Sequence, residues 1–144
     1  MSAASLVGAW ELVALYRESA EGRTHQPFGD RPVGLIMYTA DGSMSAVLMR
    51  RDRTSVPDEA GESGSPGQTT APSEEFTAYC GTYRLDPARG AVVHHVEVSH
   101  DPEMVGNDLV RYFEIDGDTL HITTDPAVAM GEDWVTHVIW RARR

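Results

Sequence analysis

The sequence predicts an all-β protein, an eight-stranded antiparallel up-and-down barrel. Three observations predict it. Runs of strand length rich in β-branched and aromatic residues recur along the chain, turn-forming residues separate them, and no helical pattern is long enough to cover a sheet face. A long twisted sheet without helices removes its exposed edges most economically by closing on itself. A barrel of eight strands has room for its own side chains and about one small ligand.

The strands are predicted from apolar alternation and from the turns between them. The central block, residues 76–115, contains three strands separated by turns at Asp86-Pro87, Gly90, Asp101-Pro102 and Gly106-Asn107. Asp41-Gly42 marks the clearest hairpin, because both residues tolerate positive φ. In order, the predicted strands are Ala9–Glu18, Gly34–Thr39, Ser43–Met49, Phe76–Leu85, Ala91–His100, Asp108–Ile115, Thr119–Thr124 and Trp134–Arg141.

The segments between the strands are predicted to be loops, with two short exceptions. Ser5 to Val7 favours a helical turn, and Ser73 favours a capped turn before Phe76. Residues 19–32 are expected to form a loop. Residues 50–72 are rich in Gly, Ser, Pro and acid, which predicts a mobile loop, either a lid or a tolerated insertion.

Length and charge limit the classes of function. The 144 residues are expected to form one domain, 1–144, and the net charge of −10 argues against nucleic-acid and membrane partners. One cysteine, Cys80, excludes an intramolecular disulfide. With no secretory signal and no apolar run of membrane-spanning length, a cytoplasmic location is expected. The sequence leaves a homodimer open.

Alternation across each strand predicts which side chains point into the barrel. On each strand, the more apolar of the two alternating sets of residues is the predicted inner face. The predicted ligand-contacting residues are Trp10, Leu12, Ile36, Met44, Leu48, Tyr79, Tyr83, Val96, Phe113, Leu120, Val138 and Trp140. Further inward positions are Ala14, Ala46, Leu85, Val92, Val98, Leu109, Ile115 and Ile122.

Few polar groups accompany this apolar lining, and they are the candidate functional residues. They are His94, Arg111 and the hydroxyls of Tyr38, Tyr79 and Tyr83. A buried guanidinium needs hydrogen-bond acceptors, and no carboxylate is available in the predicted lining. The acceptors for Arg111 are therefore expected to be backbone carbonyls, tyrosine oxygens, water or a ligand, and the last of these makes Arg111 a candidate for contacting a carbonyl, enolate or carboxylate of a guest. The structural alternatives are an outward ion pair for Arg111, a satisfied core histidine for His94 and core packing for the tyrosines.

Other chemistries find little support. His94 and His95 are adjacent on a strand and point to opposite faces, so they cannot ligate one metal ion, and no metal is expected. There is no G-x-S-x-G motif, and Cys80 has no recognisable partner histidine. No Gly-rich phosphate loop lies between a strand and a helix, and no cofactor is expected.

Gly8-Ala9-Trp10 resembles the G-x-W signature of lipocalins, and the chain as a whole resembles the bacterial lipocalin-like domain family. The likeness lies in LVGAWELV, GLIMYTADGSMSAVLMRRDR, AYCGTYRLD, HHVEVSHDPEMVG, VRYFEIDGDTLHITT and VIWR. It covers most of the chain apart from residues 54–72. The resemblance implies an eight-stranded calycin barrel and a small apolar ligand, but no particular reaction. It also implies an arginine capping one barrel end against Trp10, for which Arg111 and Arg141 compete.

Two functions remain in view. The first is a cofactor-free enzyme of small-molecule metabolism, with Arg111 and Tyr38 binding an activated carbonyl and His94 relaying a proton. Cyclisation, cycloaddition or isomerisation of an apolar substrate would suit such a cavity. The second is a passive binder or carrier of a small apolar molecule.

Overall fold

The computed structural model describes residues 3–52, 75–129 and 131–143. The chain begins with one helical turn, α1 (Ala3–Leu6), and continues almost entirely as strands. Two 3₁₀ turns, Pro87–Arg89 and Pro102–Met104, join strands of the central block. The strands are β1 (Gly8–Ser19), β2 (Thr24–His25), β3 (Val33–Tyr38), β4 (Ser43–Met49), β5 (Phe76–Asp86), β6 (Ala91–Ser99), β7 (Asp108–Asp116), β8 (Thr119–Thr123), β9 (Ala127–Ala129) and β10 (Glu132–Ala142).

Eight of these strands form a closed antiparallel barrel, which confirms the predicted fold class. The order around the barrel is β1, β3, β4, β5, β6, β7, β8 and β10, and β10 pairs back onto β1 to close it. The two strands that sequence analysis missed, β2 and β9, are short ribbons beside β1 and β10. Apart from the closing pair, β10 and β1, the neighbours around the barrel follow one another in the chain, as is usual for antiparallel strands.

The barrel interior is one apolar cluster built from alternate positions of the strands. Trp10, Ile36, Tyr38, Leu120 and Trp140 are among its fully buried members, in agreement with the predicted inner faces. His94 is the only histidine among the buried residues that the structure describes.

Two β-bulges change the inner face part-way along a strand. In β1 the register against β10 shifts at Val13, so Leu12 and Leu15 are both buried. The prediction that Ala14 points inward was wrong for this reason; Ala14 is half-buried. In β6 the extra residue is Glu97, and Val98 is 62% exposed instead of pointing into the barrel.

One end of the barrel is closed by α1. Leu6 is fully buried there, and the indole N–H of Trp10 donates to the Leu6 carbonyl at 2.9 Å. Trp10 thus closes this end, and its hydrogen bond goes to the backbone. Arg141 lies exposed on β10.

The other end carries the longer connections, including the one between β4 and β5. Arg50 lies at the start of that connection: its N–H donates to the Glu75 carbonyl at 2.9 Å and its guanidinium to the Pro27 carbonyl at 3.3 Å. These bonds hold the loop that contains Phe28, which is 6% exposed, against the barrel. Residues 53–72 of the predicted mobile loop, and the predicted cap Ser73, lie outside the described residues.

Candidate functional site

A cavity of about 220 Å³ lies inside the barrel towards the end opposite α1. Its walls come from all eight barrel strands, so no single stretch of sequence encodes it. Its described lining consists of Leu15, Arg17, Phe28, Ile36, Ala46, Leu48, Thr77, Tyr79, His94, Arg111, Ile122, Thr124, Thr136, Val138 and Trp140. Aliphatic and aromatic side chains with a few polar groups are the usual composition of a small-molecule site.

His94 lies between two tyrosine hydroxyls. Its Nε2 is 2.7 Å from the hydroxyl of Tyr38, and its Nδ1 is 2.8 Å from the hydroxyl of Tyr79. A neutral imidazole has one N–H donor and one acceptor nitrogen, so one tyrosine must donate and the other must accept. The three side chains therefore form a hydrogen-bonded chain that runs from Tyr79, in the cavity wall, to Tyr38 behind it.

Burial keeps the three groups in this chain uncharged. Desolvation, and secondarily the charge of Arg111, lower the pKa of His94 to about 3. Desolvation also raises the pKa of Tyr38 and that of Tyr79, although the Arg111 charge partly offsets both. At neutral pH His94 is a neutral imidazole and both tyrosines keep their protons.

Arg111 brings a positive charge to the cavity wall. It is half-buried on β7, and one guanidinium nitrogen donates to the Val110 carbonyl at 3.2 Å. Its charge and a hydrogen bond favour the ionised form of Tyr79, so the two groups are neighbours. Within residues 3–52, 75–129 and 131–143, Arg111 has no carboxylate partner. The predicted outward ion pair of Arg111 is absent from this part of the chain.

A second arginine, which sequence analysis did not single out, also lines the cavity. Arg17 is exposed on β1, and its backbone pairs with Thr136 of β10 and His25 of β2. The bulge at Val13 is what turns Leu15 and Arg17 towards the cavity. The sequence signal for this change of face was the pattern of β1, in which apolar residues occur at both alternating positions. Thr77, Thr124 and Thr136 supply hydroxyls to the same lining.

Trp140 adds a hydrogen-bond donor whose acceptor is missing. The side chain is 2% exposed and lines the cavity, yet its indole N–H has no hydrogen-bond partner in the described part of the chain. The indole groups of Trp10 and Trp134 both donate to backbone carbonyls. A buried unpaired donor is costly, so this N–H stands out among the polar groups near the cavity.

The predicted site residues divide into three groups. The cavity brings together His94 and Arg111 with Ile36, Leu48, Tyr79, Val138 and Trp140. The second group is buried in the core without lining the cavity: Trp10, Leu12, Tyr38, Met44, Val96, Phe113 and Leu120. Tyr83 alone forms the third; it packs edge-on against Tyr38, and its hydroxyl donates to the Thr39 carbonyl at 2.7 Å, away from the cavity.

The part of the chain that the structure describes contains no candidate metal site. Among the described residues, no group of three or more His, Cys, Asp or Glu side chains is arranged to hold a metal ion. No helix in the described ranges has the length and apolar character needed to cross a membrane.

The closed eight-stranded barrel with an internal cavity agrees with a match to a family model described as "Lipocalin-like domain", which covers residues 7–144. The chain belongs to the lipocalin-like domain family. No curated protein matches it. The lipocalin-like barrel is a fold suited to binding small hydrophobic molecules.

Proposed function

We propose that this lipocalin-like protein is a cofactor-free enzyme of secondary metabolism that closes a ring in a small apolar substrate, by cyclisation or cycloaddition, or isomerises it. One observation supports the proposal above the others: Arg111 and Tyr79 present hydrogen-bond donors at one apolar cavity. The oxygen of a substrate carbonyl would accept from both. Fixed donors in a water-poor site stabilise charge that develops on such an oxygen.

The polar groups of the cavity favour reactions that need an electrophilic catalyst. Its described lining contains no Asp or Glu. His94 is a weak base, with a pKa lowered to about 3 and both ring nitrogens engaged by tyrosines. The chain has no lysine, which excludes an imine formed on its own side chains. Activation of a carbonyl by hydrogen bonds is the chemistry that these residues can supply.

The roles of the residues follow from their order in the hydrogen-bonded chain. Tyr79 and Arg111 would hold the carbonyl oxygen. His94 would donate its Nδ1–H to the Tyr79 oxygen and accept at Nε2 from Tyr38, which leaves the Tyr79 proton for the carbonyl. The sequence-based hypothesis gave Tyr38 the contact with the carbonyl. Because Tyr38 lies on the far side of His94, the proposal transfers that contact to Tyr79 and makes Tyr38 a positioning residue.

The proposed reaction conserves the substrate's atoms. In a cycloaddition, two new carbon–carbon bonds replace two π bonds, and substrate and product have one formula. No oxidant, reductant or leaving group is required. The cavity contributes orientation, because a flexible substrate confined by rigid walls spends more time in the conformation that reacts. At about 220 Å³ the cavity is smaller than a typical site for drug-sized ligands, which favours a compact substrate.

A passive carrier is the second candidate. The specific observation in its favour is that both His94 nitrogens are already hydrogen-bonded within the protein, as in a structural core histidine. In a carrier, Arg111 and Tyr79 would orient the guest and nothing more. Binding would then leave the guest chemically unchanged.

A linear decatrienone, a ketone that carries a diene and an activated alkene, distinguishes the two functions. We expect the wild-type protein to accelerate its intramolecular cycloaddition and to give one stereoisomer in excess, measured by chiral gas chromatography. Arg111→Met removes the charged donor and is expected to lower the rate by at least about tenfold, which corresponds to the loss of one charged hydrogen bond.

Arg141→Met is the matched control, because it removes the same charge from an exposed position on β10. Its rate should equal that of the wild type. A protein that binds the ketone but gives racemic product at the rate of buffer would be a carrier. Equal rates for Arg111→Met and the wild type would remove Arg111 from the proposed chemistry.

A further inference from the structure

We infer that the natural substrate is an apolar monocarboxylate, whose carboxylate is bound by Arg17 at the cavity mouth while its carbonyl lies deeper, at Arg111 and Tyr79. This inference rests on the proposed function and specifies its substrate. It assigns a role to a residue that the proposed reaction does not use.

Charge is distributed unevenly between the cavity and the rest of the protein. The chain carries 22 acidic residues and a net charge of −10. Yet two of the fifteen described lining residues are arginines, and none of the fifteen is acidic. In the described ranges neither Arg17 nor Arg111 has a carboxylate partner. A neutral guest would need one such cation at most, at its carbonyl.

The positions of the two arginines suggest different tasks. Arg111 is half-buried and neighbours Tyr79, whereas Arg17 is exposed and lies beside Thr136. A carboxylate is expensive to desolvate, so it is best bound where water still reaches it. The apolar part of the guest then fills the deeper cavity, where Leu48, Val138 and Trp140 contribute to the wall.

The same observations favour a monoanionic carboxylate over a phosphate. A dianion would be repelled more strongly by the net charge of −10, and a single exposed arginine would neutralise only half of its charge. The planar guanidinium matches a carboxylate in two parallel hydrogen bonds. The threonine hydroxyls of the lining, from Thr77, Thr124 and Thr136, can donate to a carboxylate as well.

Octanoate and octanamide form a matched pair of probes, since they share a chain and differ in charge. We expect calorimetric titration at low salt to show octanoate binding about twofold to fivefold more tightly, as for one exposed ion pair. The preference should shrink at high salt because an exposed pair is screened. Arg17→Gln should abolish it without changing the affinity for octanamide, which shows that the cavity is intact.

Arg141→Gln, which makes the same change of net charge away from the cavity, should keep the wild-type preference. Equal affinities of the wild type for the two probes would overturn the inference, as would a preference that survives Arg17→Gln. Failure of both probes to bind would also overturn it. Decatrienone turnover tests the proposed function separately. If the protein cyclises the ketone but shows no preference for octanoate, only the inference is overturned and the proposed function stands.

Discussion

Acidification from about pH 7 to about pH 4 is expected to destabilise the protein steeply through His94. The unfolded histidine has a pKa near 6.5, and burial lowers the folded value to about 3. Between those two values the unfolded state binds one proton more than the folded state. The free energy of unfolding therefore keeps the full His94 contribution above about pH 6.5 and loses about 1.4 kcal/mol per pH unit below it.

The variant His94→Gln isolates this contribution. It removes the titrating group, so the stability difference between wild type and variant should shrink by about 3 kcal/mol between about pH 6.5 and about pH 4. Urea unfolding at several pH values measures the difference, and other acid-sensitive groups cancel from it. Val96→Ala, which creates a cavity at a buried position of the same strand but removes no titrating group, should retain the wild-type pH dependence. A His94→Gln variant with that same dependence would show that His94 is not held neutral in the folded protein.

Gly81→Ala is expected to be the most destabilising small substitution in the central block. A Cβ atom at residue 81 would lie 1.9 Å from the His95 carbonyl oxygen and 3.0 Å from the Glu97 nitrogen. Both atoms belong to the backbone of β6 at its bulge, so neither can move without breaking the β5–β6 register. We expect a loss of about 3 kcal/mol or more in the free energy of unfolding, and a melting temperature lower by about 10 °C.

Cys80→Ala is the control for this prediction, because it changes the neighbouring side chain without adding an atom. It should alter stability by no more than about 1 kcal/mol. If Gly81→Ala were as stable as Cys80→Ala, the close approach of the two strands would not exist in solution. The bulge matters for the site because Tyr79, two residues before Gly81, takes its inward position from the same strand register.

Strand composition was enough to predict the barrel, since turns such as Asp41-Gly42 and runs such as residues 91–99 depend on local sequence. Within a strand, the direction in which side chains face was predictable only as far as a bulge. Val13 and Glu97 are residue types that also occur in regular strands. The register shifts that turn Leu15 inward and Val98 outward could therefore not be predicted from the sequence. Glycine at position 81, inside a strand, was the one local signal of a bulge.

The sequence predicted which residues lie at the candidate site better than it predicted the contacts between them. Inward positions for His94, Arg111 and Tyr79 follow from alternation along a single strand. The pairing of His94 with Tyr38, a residue 56 positions earlier, depends on how the closed barrel aligns distant strands. Phe28 enters the cavity lining from a loop with no periodic pattern, held by contacts of Arg50 that only the folded chain creates.

The indole N–H resonances of the three tryptophans test the central claim, that the barrel interior binds an oxygen-bearing apolar guest. A saturated decanone, which cannot react, is titrated into ¹⁵N-labelled protein. The Trp140 resonance is expected to shift because this side chain lines the cavity that the ketone would fill, while the resonances of Trp10 and Trp134, which do not line it, stay in place. A Trp140 resonance that stays unchanged up to the solubility limit of the ketone would contradict the account.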